Sequence, residues 1–174
     1  MTGLGFSIDK KINVQIITLR FYLRSAKIHH GMSLFDKLNK AKMDKLKANL
    51  EEGLAFLEEN KKRPEVTALQ SGLQYEVIKM GEGPKPGVMN TVTCHYHGML
   101  IDGRVFDSSV QRGQPASFPL NRVISGWTEA LQLMPIGSKW KLYLPPNLAY
   151  GEQQAGPLIG PNSTLIFEVE LLGF

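Results

Sequence analysis

A chain of 174 residues with 43% apolar and 21% charged side chains can build one well-packed domain plus an appendage, and its composition excludes a disordered chain. No run approaches the ~20 uninterrupted apolar residues of a membrane-spanning helix, and the single cysteine, Cys94, excludes an intramolecular disulfide or a cysteine-built zinc site. The net charge of +4 is concentrated at the N-terminus, where Lys10, Lys11, Arg20, Arg24 and Lys27 stand against Asp9 alone, so the larger part of the chain has no basic field for nucleic acid.

Along the chain, Ile12 to Leu23 is partly apolar, but Asn13, Gln15 and Arg20 interrupt it. No small-x-small cleavage site of a secretory signal follows. Residues 1–31 read equally well as part of the native protein or as an extension upstream of a start at Met32. Residues 33–62 read as one long helix. Ser33 caps it with Asp36 three residues on, and Met43, Leu46, Leu50, Leu54 and Leu57 form an apolar stripe at spacings of three and four. Gly53 should weaken this helix by about 1 kcal/mol relative to Ala, and Pro64 stops it. A lone amphipathic helix has to bury its stripe on its own domain or on a partner's helix.

Beyond Pro64 the period changes to two. Strands are expected over Leu73–Lys79, Thr91–Ile101, Arg104–Phe106, Ser138–Leu144 and Thr164–Leu172, with a short helix over Gly126–Met134. In the second strand Val92, Cys94, Tyr96, Gly98 and Leu100 share one face; Thr93, His95, His97 and Met99 share the other. Asp102-Gly103 marks a hairpin turn, and Pro145–Pro161 a long loop. Antiparallel strands around one short helix make an α+β domain.

Reaction machinery is scarce. There is no G-x-S-x-G elbow and no phosphate-cradling glycine loop. His95 and His97, two apart on a strand, have no evident third ligand and read as a solvated face rather than a metal site. Cys94 reads as a small core residue. Aromatic residues beside turns stand out: Tyr96, Phe106, Trp127, Tyr150 and Phe167 come from five segments, with Asp107 directly after Phe106. Taken singly each reads as core; together with a carboxylate they suit an apolar pocket with a few oriented polar groups.

Residues 92–109 (VTCHYHGMLIDGRVFDSS), 123–131 (VISGWTEAL), 148–151 (LAYG) and 162–172 (NSTLIFEVELL) resemble, in order, four blocks of the FKBP-type peptidyl-prolyl cis-trans isomerases. The stretch Leu54–Gly83 is similar to the linker of bacterial members of the macrophage infectivity potentiator type, which carry a helical dimerisation arm. The resemblance implies a twisted antiparallel sheet wrapped on the short helix and preceded by a long N-terminal helix. It divides the chain into a helical arm and linker at 32–70 and an isomerase domain at 71–174.

Carried over by position, it makes Tyr96, Phe106 and Phe167 aromatic walls and Trp127 the floor. Val123 and Ile124 line one side, with the Ile124 N–H donating to a bound carbonyl. Asp107 is the buried carboxylate beside the twisting amide, Tyr150 donates its hydroxyl to the substrate, Arg112 orients Asp107 and Tyr96, and Leu158 and Ile159 form the rim. The implied partners are proline-containing polypeptides, macrolide inhibitors and a second copy of the chain through the N-terminal helix. No cofactor or metal, no nucleic acid and no membrane span is expected. The expected compartment is the cytoplasm, with the periplasm as the alternative. The other functional reading is a binding module or holdase chaperone on the same fold.

The sequence departs from the family pattern at the rim. Ala116 stands where many members have an aromatic, Ala155 where some have His, and Gly160-Pro161 where many have Pro-Pro. The arm is also short: an intertwined dimer needs more helix than 33–62 supplies unless 1–31 contributes.

Overall fold

The structure, a computed structural model, describes residues 33–174; the expectations for residues 1–31 lie outside this range. The chain divides into two compact units, Met1–Lys42 and Met43–Phe174, and the division falls within the long helix α1 (Leu34–Asn60).

The described part of the first unit is the opening of α1. The expected cap is present. The Ser33 hydroxyl accepts from the Asp36 N–H at 3.1 Å, and the Asp36 carboxylate accepts from the Ser33 N–H at 3.1 Å and the Ser33 hydroxyl at 2.7 Å. Leu34, Phe35 and Leu38 in these turns are exposed.

The second unit is built on a seven-stranded sheet, antiparallel throughout. Its strands are β1 (Val66–Ala68), β2 (Gln74–Lys79), β3 (Thr91–Leu100), β4 (Val105–Ser108), β5 (Ala116–Pro119), β6 (Lys139–Leu144) and β7 (Leu165–Gly173). The order is β1-β2-β6-β7-β3-β4, and β5 also pairs with β3. At ten residues β3 is long enough for β4 to pair with its C-terminal end and β5 with its N-terminal end. The chain between them leaves the sheet at Ser109 and returns at Ala116. The Asp102-Gly103 turn closes as expected, with the Leu100 N–H donating to the Arg104 carbonyl at 2.9 Å and Gly103 at φ 84°.

One face of the sheet packs on the short helix α2 (Ser125–Leu131). Val92, Cys94, Tyr96 and Leu100 of β3, Trp140, Leu142 and Leu144 of β6, and Leu165, Phe167, Val169 and Leu171 of β7 are buried there with Trp127, Ala130 and Leu131. This is the alternation expected from the sequence. On the other face Tyr143 and Ile166 are also buried, because Leu57 of α1 covers them with Phe56 beside it. The arm thus takes the first of the two expected outcomes, burial on its own domain, and as a second layer covers a sheet face that period-two reasoning assigns to solvent.

The packed face of α1 also differs from the expected stripe. Leu46, Leu50 and Leu57 are at least half-buried, but Met43 and Leu54 are exposed, and Gly53 and Asn60 are buried instead. Gly53 lies on Thr164 so closely that a Cβ would collide with the Thr164 hydroxyl. Its lost helix propensity is therefore offset by close packing. The end of α1 is tied to the sheet by polar groups. The Gln74 amide donates to the Leu57 carbonyl at 2.9 Å, the Asn60 amide donates to the Gln74 side-chain oxygen at 2.9 Å, and Arg63 donates to the Asn60 side-chain oxygen and the Tyr143 hydroxyl at 3.0 Å each.

Candidate active site

Between α2, the α2-facing side of the sheet and the loop after Tyr150 lies a cleft of about 580 Å³. Its volume suits a small ligand or a short peptide segment. Tyr96, Phe106, Asp107, Val123, Ile124, Trp127, Tyr150, Leu158, Ile159 and Phe167 all line it, so residues from six separated segments converge as the sequence suggested.

The floor is an aromatic cluster centred on Trp127. The rings of Tyr96, Phe118 and Phe167 meet it edge-on at centroid distances of 5.5, 5.8 and 5.2 Å, with interplanar angles of 79°, 90° and 80°. Phe106 in turn meets Phe167 at 5.4 Å and 83°. Edge-to-face packing fixes each ring against its neighbours. Backbone spacing allows this only because position 98 is glycine: a Cβ there would stand 2.6 Å from Phe106 and 2.9 Å from Phe167.

The polar wall is a triad. The Tyr96 hydroxyl donates to Asp107 Oδ2 at 2.5 Å, Arg112 donates to Asp107 Oδ1, and the second Arg112 nitrogen donates to the Tyr96 hydroxyl at 2.8 Å. Arg112 also lies over the Tyr96 ring, 5.6 Å from its centroid. Asp107 is expected to be buried, but its side chain is 44% exposed. Partial desolvation pushes the Asp107 carboxyl up, but the hydrogen bonds from Tyr96 and Arg112 and the Arg112 charge outweigh it and hold the carboxyl below its ordinary value. Desolvation and then Asp107 push the Tyr96 phenol up. The pair is therefore carboxylate and phenol at neutral pH, with the proton on tyrosine.

Ile124 stands just before the first residue of α2, and among the described residues no acceptor is paired with its N–H. Tyr150 is 41% exposed at the mouth. Arg122, Phe118, Gly156 and Pro157, to which the sequence assigns no role, also line the cleft, as does Ala155 at the rim. Phe118 lies on β5, a four-residue strand ending in proline, too short to show a period. It supplies the aromatic contact that Ala116 lacks.

The two histidines face away from the cleft and bond to serines, His95 Nδ1 to Ser109 at 3.1 Å and His97 Nδ1 to Ser108 at 2.9 Å. Among the described residues no group of three metal-ligating side chains occurs. Burial pushes the Cys94 thiol up to about 12, which leaves it unreactive.

Comparison with known proteins agrees with this geometry. The family model for FKBP-type peptidyl-prolyl cis-trans isomerase matches residues 81–172, and the model for the domain amino-terminal to such isomerases matches residues 20–77. The chain is 51% identical over 146 residues to the FKBP-type 22 kDa peptidyl-prolyl cis-trans isomerase of Escherichia coli, covering 83% of this chain and 71% of that protein. It is 53% identical over 128 residues to the outer membrane protein MIP of Legionella longbeachae, covering 74% of this chain and 55% of that one. The chain thus spans about half the length of several curated relatives. Among solved structures, FkpA from Escherichia coli superposes with a TM-score of 0.74 at 37% identity over 97% of this chain and 73% of that one. A peptidyl-prolyl cis-trans isomerase from Pseudomonas syringae superposes with a TM-score of 0.68 at 43% identity over 73% of this chain and 93% of that one. The chain belongs to the FKBP-type peptidyl-prolyl cis-trans isomerase family.

Proposed function

We propose that the cleft takes the X-Pro segment of a polypeptide and accelerates its cis–trans isomerisation by binding the twisted amide more tightly than either planar form. No covalent bond has to break. The barrier of about 18–20 kcal/mol is the loss of amide resonance as the C–N bond rotates. Water stabilises the dipolar planar amide, so an apolar cage favours the less dipolar twisted state, and complementarity to that state adds differential binding. The observation that carries this reading is the rigid edge-to-face aromatic floor around Trp127, with one fixed carboxylate at its wall.

In this reading the prolyl ring sits on Trp127 between Tyr96, Phe106 and Phe167. The Ile124 N–H and the Tyr150 hydroxyl donate to substrate carbonyls. Asp107 acts as a fixed charge rather than a general base, since Tyr96 and Arg112 already occupy its two oxygens. Because its pKa is depressed, the charged triad is complete above the ordinary carboxylate range. It is lost only as pH falls through the lowered value. Activity should accordingly be flat through neutral pH.

A protease-coupled assay on an X-Pro peptide tests this. Phe106→Ala and Asp107→Ala should each lower kcat/KM by about tenfold or more while the fold persists. Unchanged rates in both variants would remove the site assignment.

The exposed Leu34, Phe35 and Leu38 favour a second, compatible role for the arm, as the surface of a homodimer or a holding site for unfolded clients. A bulky macrolide would compete for the same cleft. The lone shielded thiol requires no oxidising compartment, and we keep the cytoplasm as the proposed location.

A further inference from the structure

We infer that Asn49, on the arm helix α1, is a positioning residue for the rim of the cleft, so that the arm takes part in substrate binding. The inference rests on the reading of the cleft as the isomerase site.

The rim belongs to the loop between Tyr150 and Ser163. Its neck is closed by the Asn162 N–H donating to the Gly151 carbonyl at 2.7 Å, with Asn162 at φ 54°. Its tip is a small hairpin in which the Ala155 N–H donates to the Ile159 carbonyl at 3.0 Å. Pro157 and Leu158 at this tip face two hollows at once. On one side is the catalytic cleft. On the other is a hollow of about 120 Å³ between the loop and α1, with Lys45, Asn49 and Glu52 on its helical wall. The rim thus stands between two hollows, and its position on the α1 side depends on contacts across the second one.

What spans the gap is Asn49. Its side-chain amide donates to the Pro161 carbonyl at 2.7 Å, at the point where the tip rejoins the neck. A weaker contact runs the other way, from the Asn162 amide to the Leu46 carbonyl at 3.5 Å. Gly160 makes the approach feasible: a Cβ there would lie 3.0 Å from the Asn49 amide and 3.2 Å from the Lys45 side chain. Gly160, which stands where the sequence pattern commonly has proline, thus eases the close approach of the arm to the loop. Beyond the neck, Thr164 abuts Gly53 one helical turn further on. The loop is held along one face of α1 by contacts that fix where Leu158 and Ile159 stand.

An anchored rim contacts bound substrate and is remote from the twisting bond, so its loss should appear in KM and not in kcat. The test uses the full chain, with kcat and KM for an X-Pro tetrapeptide separated by exchange NMR. Asn49→Leu and Asn49→Asp both remove the donor; each should raise KM about three- to tenfold with kcat within about twofold, the loss expected for one partly buried hydrogen bond. Leu57→Ala serves as the control, since it loosens the packing of the same helix on Tyr143 and Ile166 without touching the rim. It should lower Tm at least as much as either Asn49 variant and leave KM at the wild-type value. The inference is overturned if the Asn49 variants keep the wild-type KM, if the loss falls in kcat, or if Leu57→Ala raises KM equally. An inactive wild-type chain would instead overturn the reading of the cleft itself.

Discussion

Single atoms decide the shape of this cleft. Gly98 was legible as one inward position on an alternating strand, but nothing in the pattern showed that Phe106 and Phe167 rest on its bare Cα. Gly98→Ala should push both rings toward the substrate space and lower kcat/KM by about tenfold or more. Circular dichroism should report an intact sheet in the same variant, and an unaltered kcat/KM would mean the rings can yield at no cost. The residues recognisable by family resemblance line the cleft, except Arg112, which bonds to Asp107 and Tyr96 without lining it. Arg122, Gly156 and Pro157, to which the resemblance gives no role, are set by where turns place them rather than by any motif. The exposure of the Asp107 carboxylate is a tertiary property that no local pattern encodes.

At the scale of elements, the strands with strong alternation were readable, the short β4 was marked by the Asp102-Gly103 turn before it, and β1 and β5 were not readable. β1 and β5 have three and four residues, below the length at which a period can be seen. The long helix was legible as a helix, but its buried face was not. Apolarity pointed to Met43 and Leu54, whereas packing selected Gly53 and Asn60, one for closeness and one for its hydrogen bond to Gln74. Gly53→Ala checks which principle wins. Helix propensity alone would gain about 1 kcal/mol, but the new methyl meets the Thr164 hydroxyl, so net destabilisation of about 1–3 kcal/mol is expected from overpacking. Chemical denaturation will show the sign, and a rise in stability would mean the helix can shift away from β7.

For the molecule as a whole, the expected domain start near residue 71 and the compact unit starting at Met43 lead to different experiments. A chain of residues 43–174 keeps Leu57, Asn60 and the Asn49 anchor. It should retain the wild-type kcat/KM on short peptides, and run as a monomer in light scattering if the proposed homodimer forms through the exposed residues of the first unit. A chain of residues 64–174 uncovers Tyr143 and Ile166 and leaves Gln74 without its helical partners. Its Tm should fall by about 10 °C or more, the shift produced by losing a few kcal/mol in a domain of this size. Equal melting temperatures for the two would show that the second layer contributes nothing.

The position of Trp127 has a spectroscopic consequence. The chain has two tryptophans. Trp127 lies on the cleft floor, while Trp140 is stacked on Tyr75 at 4.5 Å and does not line the cleft. Both indole N–H groups are buried without a hydrogen-bond partner. One fluorophore therefore views the ligand and the other only the sheet. In a Trp140→Phe chain, emission should respond to occupancy alone, giving peptide or macrolide titrations an optical signal that needs no label and no turnover.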